Sequence, residues 1–205
     1  MTDREAVVYV IDDDASVRRS LSLLLRSAGY RVETLLSAEE FLSKALPDCI
    51  GCIILDLKMP GMSGLELQEC LGRADRHLPI IFVTGHGDIP TGVQAIKKGA
   101  IDFLTKPFDD KQLLSLIESA IKKCRQEKAV HDEVRDFRRR LKRLTQREYE
   151  VYLQVISGAL NKQIAGHLNI KEHTVKVHRG RVMQKLGVAS LADLVRLAEK
   201  AKIPP

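Results

Sequence analysis

Short, near-continuous apolar runs alternate with amphipathic stretches along the first part of the chain. Val7–Ile11, Cys52–Leu55 and Ile80–Thr84 are too short for helices and carry no polar alternation, so they read as strands buried on both faces. Arg31–Leu36 and Ile101–Leu104 complete a set of five. Helical spacing fills the gaps. Val17, Leu21, Leu24 and Leu25 form one stripe, stopped by Gly29. Ser37-Ala-Glu-Glu40 reads as a capping box opening a second helix. A third runs from about Leu65 to Leu71. A fourth carries Val93 and Ile96 and stops at Gly99. Asp109, with Gln112 three residues on, caps a fifth. Strict alternation of strand and helix predicts an α/β fold: a five-stranded parallel, doubly wound sheet with helices on both faces. Right-handed crossovers bring all the strands' carboxyl ends to one edge, where open sheets of this kind bind ligands.

From Leu113 to Leu144 the chain has neither Pro nor Gly. A heptad frame holds Leu113, Leu116, Ala120, Val130, Val134, Phe137, Leu141 and Leu144, interrupted by Lys123 and Glu127. Two readings stand: one unbroken helix able to pair with a partner chain, or a helix that frays near residues 123–129. Beyond it the periodicity stays helical. Thr145-Gln-Arg-Glu148 is a capping box; Tyr149, Val151, Tyr152, Val155 and Ile156 form an apolar face ended by Gly158. A short helix, Asn161–Leu168, and the tight connection Asn169-Ile170-Lys171 lead to a helix over Glu172–Leu186, stopped by Gly187. Ser190 with Asp193 caps a last helix. A short helix, turn and longer helix within an all-α, four-helix domain is a helix-turn-helix pattern. The expected layout is a first domain at 5–121, a helical linker at 122–142 and a helix-turn-helix domain at 143–205.

Charge sharpens this division. The chain carries +6 overall, but residues 1–124 hold 15 Lys and Arg against 18 Asp and Glu, and residues 125–205 hold 18 against 9. A basic second part predicts a polyanionic partner. On the third helix of that part Val175, Val182 and Leu186 share a core face. The opposite face carries Lys176, Val177, Gly180 and Gln184, suited to base edges and a thymine methyl, with Arg179 and Arg181 flanking it toward phosphates. The run Arg135–Arg143 is either a solvated basic face or a further phosphate contact. No apolar run is long enough to span a membrane and Met1–Glu5 has no signal-peptide core, so a cytoplasmic protein is expected. Cys49-x-x-Cys52 lacks the partners a structural zinc needs.

The chemistry gathers at the sheet edge. Asp12, Asp13, Asp56, Thr84 and Lys106 all fall at carboxyl ends of strands. Clustered carboxylates attract a hard cation such as Mg²⁺. One carboxylate can attack phosphorus to give an acyl phosphate, while a hydroxyl and an ammonium hold the other phosphoryl oxygens.

These residues, with Leu-Asp-Leu-Lys-Met-Pro-Gly-Met-Ser-Gly around Asp56 and Lys106-Pro107, make residues 5–125 resemble the receiver domain of bacterial two-component response regulators. Thr84-Gly-His-Gly-Asp88 and Gly99-Ala-Ile-Asp-Phe103 narrow the likeness to the FixJ-type branch. Leu144-Thr-Gln-Arg-Glu148, Asn161-Lys-Gln-Ile-Ala165 and Thr174-Val-Lys-Val-His178 make residues 143–203 resemble the LuxR-type helix-turn-helix. The resemblance implies a flavodoxin-like sheet in the first domain, and that Asp56 accepts a phosphoryl group from a sensor histidine kinase. It implies Mg²⁺ (or Mn²⁺) on Asp13, Asp56 and the backbone carbonyl of Lys58, with Asp12 through water. Thr84 is then the switch hydroxyl, Phe103 the switch aromatic, and Lys106-Pro107 a cis bond. It implies a homodimer on phosphorylation, formed through the fourth helix, fifth strand and fifth helix, acting on promoter DNA and RNA polymerase. Thr174 joins the expected DNA contacts. His86 reads as a loop residue able to relay Thr84 movement. Lys171 stands where relatives place a Ser cap, and Gly180 where some place a base-reading Lys.

Two other classes of function are weighed against this. A phosphatase or phosphotransferase acting on outside substrates wants a second acid two residues past the nucleophile, where Lys58 stands. A phosphorylation-independent DNA-binding protein would not need the complete acidic set. The expectation is therefore a regulator, not an enzyme beyond its own phosphoryl transfer and dephosphorylation.

Overall fold

The computed structural model describes residues 6–44, 49–73, 78–85 and 89–203. The chain divides into two compact units, Met1–Lys128 and Ala129–Pro205. In the first, β1 (Val7–Ile11), α1 (Ala15–Ser27), β2 (Arg31–Leu35), α2 (Ala38–Ser43), β3 (Gly51–Leu55), α3 (Gly64–Arg73), β4 (Ile80–Thr84), α4 (Ile89–Lys97) and β5 (Asp102–Thr105) alternate as expected, followed by α5 (Asp110–Leu141). The sheet is parallel with order β2-β1-β3-β4-β5. Every residue of β1, β3 and β4 is buried, which is why these strands lack polar alternation.

The pleat divides the core in two. Val8, Val10, Cys52, Ile54, Ile81 and Val83 face α1 and the first half of α5; Tyr9, Ile11, Ile53, Leu55, Ile80 and Phe82 face α2, α3 and α4. Cys52 thus serves as a small core residue, and all four cysteines are free. Ser37 accepts from the Glu40 amide, but Glu40 turns its carboxylate to the Leu36 amide, so only half of the expected capping box forms. Val93 and Ile96 lie on the exposed side of α4; its buried face is made by Gly92 and Ala95.

The second unit holds α6 (Gln146–Ile156), α7 (Asn161–Leu168), α8 (Glu172–Leu186) and α9 (Leu191–Lys200). Thr145 and Glu148 form the full capping box. Val151, Tyr152, Ile164, Val175, Val182, Leu186 and Leu194 form the core, and Phe137 and Leu141 from the last turns of α5 are buried with them. Along α5, the stripe Leu113, Ile117, Ala120 and Ile121 belongs to the first core, and Cys124 one turn on is buried as well. The helix is continuous, and Lys123 and Glu127 in its middle face one another at 3.9 Å. The residues at both ends of the heptad frame are used within the chain, leaving Val130 as its exposed apolar member. Among the described residues no helix is long and apolar enough to cross a membrane.

Candidate functional site

Asp12 and Asp56 become neighbours because β1 and β3 are adjacent and in register. The Asp56 amide donates to the Ile11 carbonyl at 2.8 Å. Lys106 arrives from the other side. The β4–β5 ladder runs one bond past its strands, with the Lys106 amide donating to Thr84 O at 2.8 Å. The Lys106-Pro107 bond is cis. Lys106 Nζ lies 2.6 Å from Asp12 Oδ2 and 3.3 Å from Asp56 Oδ1. Asp12 and Asp56 are buried, while Lys106 is half-buried.

One ammonium therefore serves two buried carboxylates, and it favours Asp12. Asp12 is satisfied further by the Asp14 amide at 2.9 Å, and Asp56 Oδ2 by the Lys58 amide at 2.9 Å. Burial pushes the Asp56 carboxyl above the ordinary range. Lys106 pulls it down and Asp12 pushes it up again, and the net direction is upward. At Lys106 burial works against the ammonium, but the hydrogen bond and charge of Asp12, with Asp56 behind it, outweigh burial and raise its pKa. Asp56 is the under-compensated member of the cluster, an electron-rich oxygen at the mouth of the sheet.

Thr84 is buried at the end of β4, and Asp13 is exposed beside Asp12. Phe103 is half-buried, and a Cβ added at Gly92 would stand 3.3 Å from its ring, so α4 and β5 approach closely there. His86, Gly87 and Asp88 lie outside the described residues.

Three features here escape a reading of the sequence. Asp14 is the N-cap of α1, accepting from the Ser16 amide at 2.7 Å. Arg18 Nη1 donates to the Asp12 carbonyl at 2.6 Å, fixing the acidic loop from behind. A Cβ at Gly64 would stand 2.4 Å from Asp56 O. Only the Asp-x-Ser spacing of the first carried a recognisable signal.

Among the described residues no group of three His, Cys, Asp or Glu side chains is gathered to hold a metal. The donor chemistry nonetheless suits a hard divalent cation. Two buried carboxylates with one ammonium between them leave negative charge in excess, and every donor is oxygen.

In the second unit, α8 presents Lys176, Val177, Gly180, Arg181 and Gln184 to solvent, with Val175, Val182 and Leu186 buried behind them. Thr174 is half-buried at the first turn. Arg179 does not stand free: its Nη1 donates to Asn161 Oδ1 at 2.8 Å, tying α8 to the start of α7. Lys171 caps α8 without a side-chain hydrogen bond. Gly180 has open space around its Cβ position. Glu148 is buried, and its carboxylate takes Lys185 Nζ at 2.6 Å and the Thr145 amide at 2.8 Å; these bonds hold it down at about 2.

Residues 8–118 match the response regulator receiver domain, and residues 142–198 match the bacterial regulatory proteins of the luxR family. The chain belongs to the NarL/FixJ-type response regulators. The response regulator TmoT of Ectopseudomonas mendocina is 46% identical over 202 residues, covering 98% of this chain and 92% of that protein. The transcriptional regulatory protein FixJ of Rhizobium meliloti is 43% identical over 198 residues, covering 97% and 96%. The structure of the response regulator StyR superimposes with a TM-score of 0.81 at 49% identity, covering 96% of this chain and 99% of that one. The regulator controls transcription in a phosphorylation-dependent way within a two-component system, which implies a kinase partner and promoter DNA. Receiver domains generally take Mg²⁺ for phosphorylation.

Proposed function

We propose that Asp56 is the phosphoacceptor. The observation that carries this is its position as the buried carboxylate least compensated by Lys106, 3.3 Å away against 2.6 Å for Asp12. An Asp56 oxygen attacks phosphorus of the kinase's phosphohistidine; the P–N bond breaks and an acyl phosphate forms. Lys106 then follows the new negative charge, and the Thr84 hydroxyl turns toward a phosphoryl oxygen. Asp12, Asp13, Asp56 and the Lys58 carbonyl would hold Mg²⁺ (or Mn²⁺), which supplies neutralising charge for the phosphoryl oxygens. Water returns the carboxylate and inorganic phosphate; the receiver acts on no outside substrate.

Movement at Thr84 frees space for Phe103, whose ring lies against α4 at Gly92 in this structure and then repacks. The exposed Val93 and Ile96 on α4 suit the face on which two receivers pair. Pairing brings two α8 helices to adjacent half-sites. Lys176, Val177 and Gln184 read bases there, Thr174 and Arg181 meet phosphates, and Arg179 contributes from its seat on Asn161. The bound dimer recruits RNA polymerase at its promoters.

The test is sedimentation of the full chain with Mg²⁺, with and without beryllofluoride, beside Asp56→Asn. Dimer formation in the wild type alone supports the reading. Equal behaviour of the two proteins contradicts it.

A further inference from the structure

The basic run at the end of α5 is used neither by the phosphorylation site nor by the reading face of α8. The structure gives its members different tasks. Arg135 pairs with Asp132 and Arg139 with Asp136, both along α5 itself. Arg138 and Arg140 reach other helices. Arg138 Nη2 donates at 2.9 Å to the carbonyl of Ala201, the residue that closes α9. Arg140 Nη1 donates at 2.9 Å to the carbonyl of Leu186, the last residue of α8. Its other terminal nitrogen is held by Asp136.

The last carbonyls of a helix have no partner within it and form the negative end of its dipole, so a guanidinium suits them. The seat for Arg140 is shaped to receive it. Gly187 continues the chain with φ 65°, and a Cβ there would stand 2.4 Å from Arg140 Nη1. Phe137 and Leu141, from the same turns of α5, are buried in the core. Arg140 is thus fixed by packing on either side and by Asp136 at its tip. At the opposite end of α8, Lys171 makes no side-chain cap among the described residues.

We propose that Arg140 is a positioning residue for DNA recognition. It anchors the carboxyl end of α8, and so the attitude in which Lys176, Val177 and Gln184 are presented, without touching DNA. The proposal rests on α8 being the reading helix. Its chemistry differs from that of a phosphate contact, because the guanidinium's charge is already spent on Asp136 and a helix end.

The experiment uses the full chain with Mg²⁺ and beryllofluoride. The probes are a duplex selected by the wild type from a random-sequence pool and an unrelated duplex of equal length. Anisotropy is read across a salt series for wild type, Arg140→Met, Arg140→Lys and Lys176→Ala. For Arg140→Met we expect a loss of about tenfold on the selected duplex, with the unrelated duplex and the salt slope unchanged. Arg140→Lys, which keeps a donor, restores part of it. Peptide-resolved hydrogen exchange should quicken in the last turn of α8 and not in α6. Equal losses on both duplexes with a salt slope lower by about one would make Arg140 a phosphate contact and overturn the proposal. Uniformly faster exchange across α6–α9, or no change in affinity, would overturn it as well. If Lys176→Ala leaves discrimination intact, the assignment of α8 as the reading helix fails instead.

Discussion

Replacing Lys106 by Met removes the ammonium that Asp12 and Asp56 share. The Asp12 and Asp56 side chains are 4% and 8% exposed, and the Lys106 side chain is 23% exposed. Stripping the partner from a buried charge costs about 3–5 kcal/mol. Partial exposure of Lys106 lets water reach part of the gap, so we expect about 2–3 kcal/mol from the receiver at neutral pH. The pH dependence follows from Asp56. Its carboxyl is raised in the folded state, so its ionisation weakens the fold as pH rises through the carboxylate range. Without Lys106 that penalty grows. The deficit of Lys106→Met should therefore shrink toward about pH 4 and below, where carboxylates take up protons. It should also shrink at neutral pH when Mg²⁺ is added. In Lys106→Met/Asp56→Asn the loss should be smaller than the sum of the single changes, because the groups touch. The assay is peptide-resolved hydrogen exchange on β1, β3 and β5 of the full chain, since two units need not unfold as one. A deficit that is the same at pH 3.5 and pH 7, or strictly additive energies, would refute the electrostatic account.

Three further outcomes follow from other positions. Glu148→Gln keeps the acceptor for the Thr145 amide but loses the charge facing Lys185. The fall of its pKa from 4.5 to about 2 sets a ceiling of about 3 kcal/mol, and the 37% exposure of Lys185 reduces this to about 1–2 kcal/mol. A lowered pKa gives stability that is present above about pH 4.5 and lost toward pH 2, so the gap between variant and wild type in urea titrations of the second unit should close over that window. Gly64→Ala forces a Cβ to within 2.4 Å of Asp56 O and 2.9 Å of the Phe82 ring, and should cost about 1–3 kcal/mol together with loss of phosphorylation by acetyl phosphate. Gly180→Ala meets open space in a helix interior and should stabilise α8 by up to about 1 kcal/mol, read as a higher unfolding midpoint.

The strands were legible because burial on both faces leaves no polar alternation to confuse them, and β1, β3 and β4 follow the apolar runs closely. Caps were legible where a side chain answers its own helix, as at Thr145 and Glu148. They were less so where it has a choice, and Glu40 takes the Leu36 amide over that of Ser37. Apolar spacing marked α4 as a helix but could not say which side was buried. Phe103 approaches closely at Gly92, and Ala95 on the same helix is buried, so Val93 and Ile96 turn outward. Long-range uses of arginine were hidden. Arg138, Arg140 and Arg147 each serve a backbone carbonyl at the end of another helix, and on a helical wheel all three look like a solvated face. The sequence places Asp12, Asp56 and Lys106 at one edge, yet the unequal sharing of one ammonium is a matter of tenths of an ångström.

The most direct test of the central claim is DNA affinity of the full chain before and after acetyl phosphate and Mg²⁺, measured on the selected duplex for wild type and Asp56→Asn. The account predicts that phosphoryl donor tightens binding by the wild type and leaves Asp56→Asn at its resting affinity. Tightening in both proteins, or in neither, would contradict it.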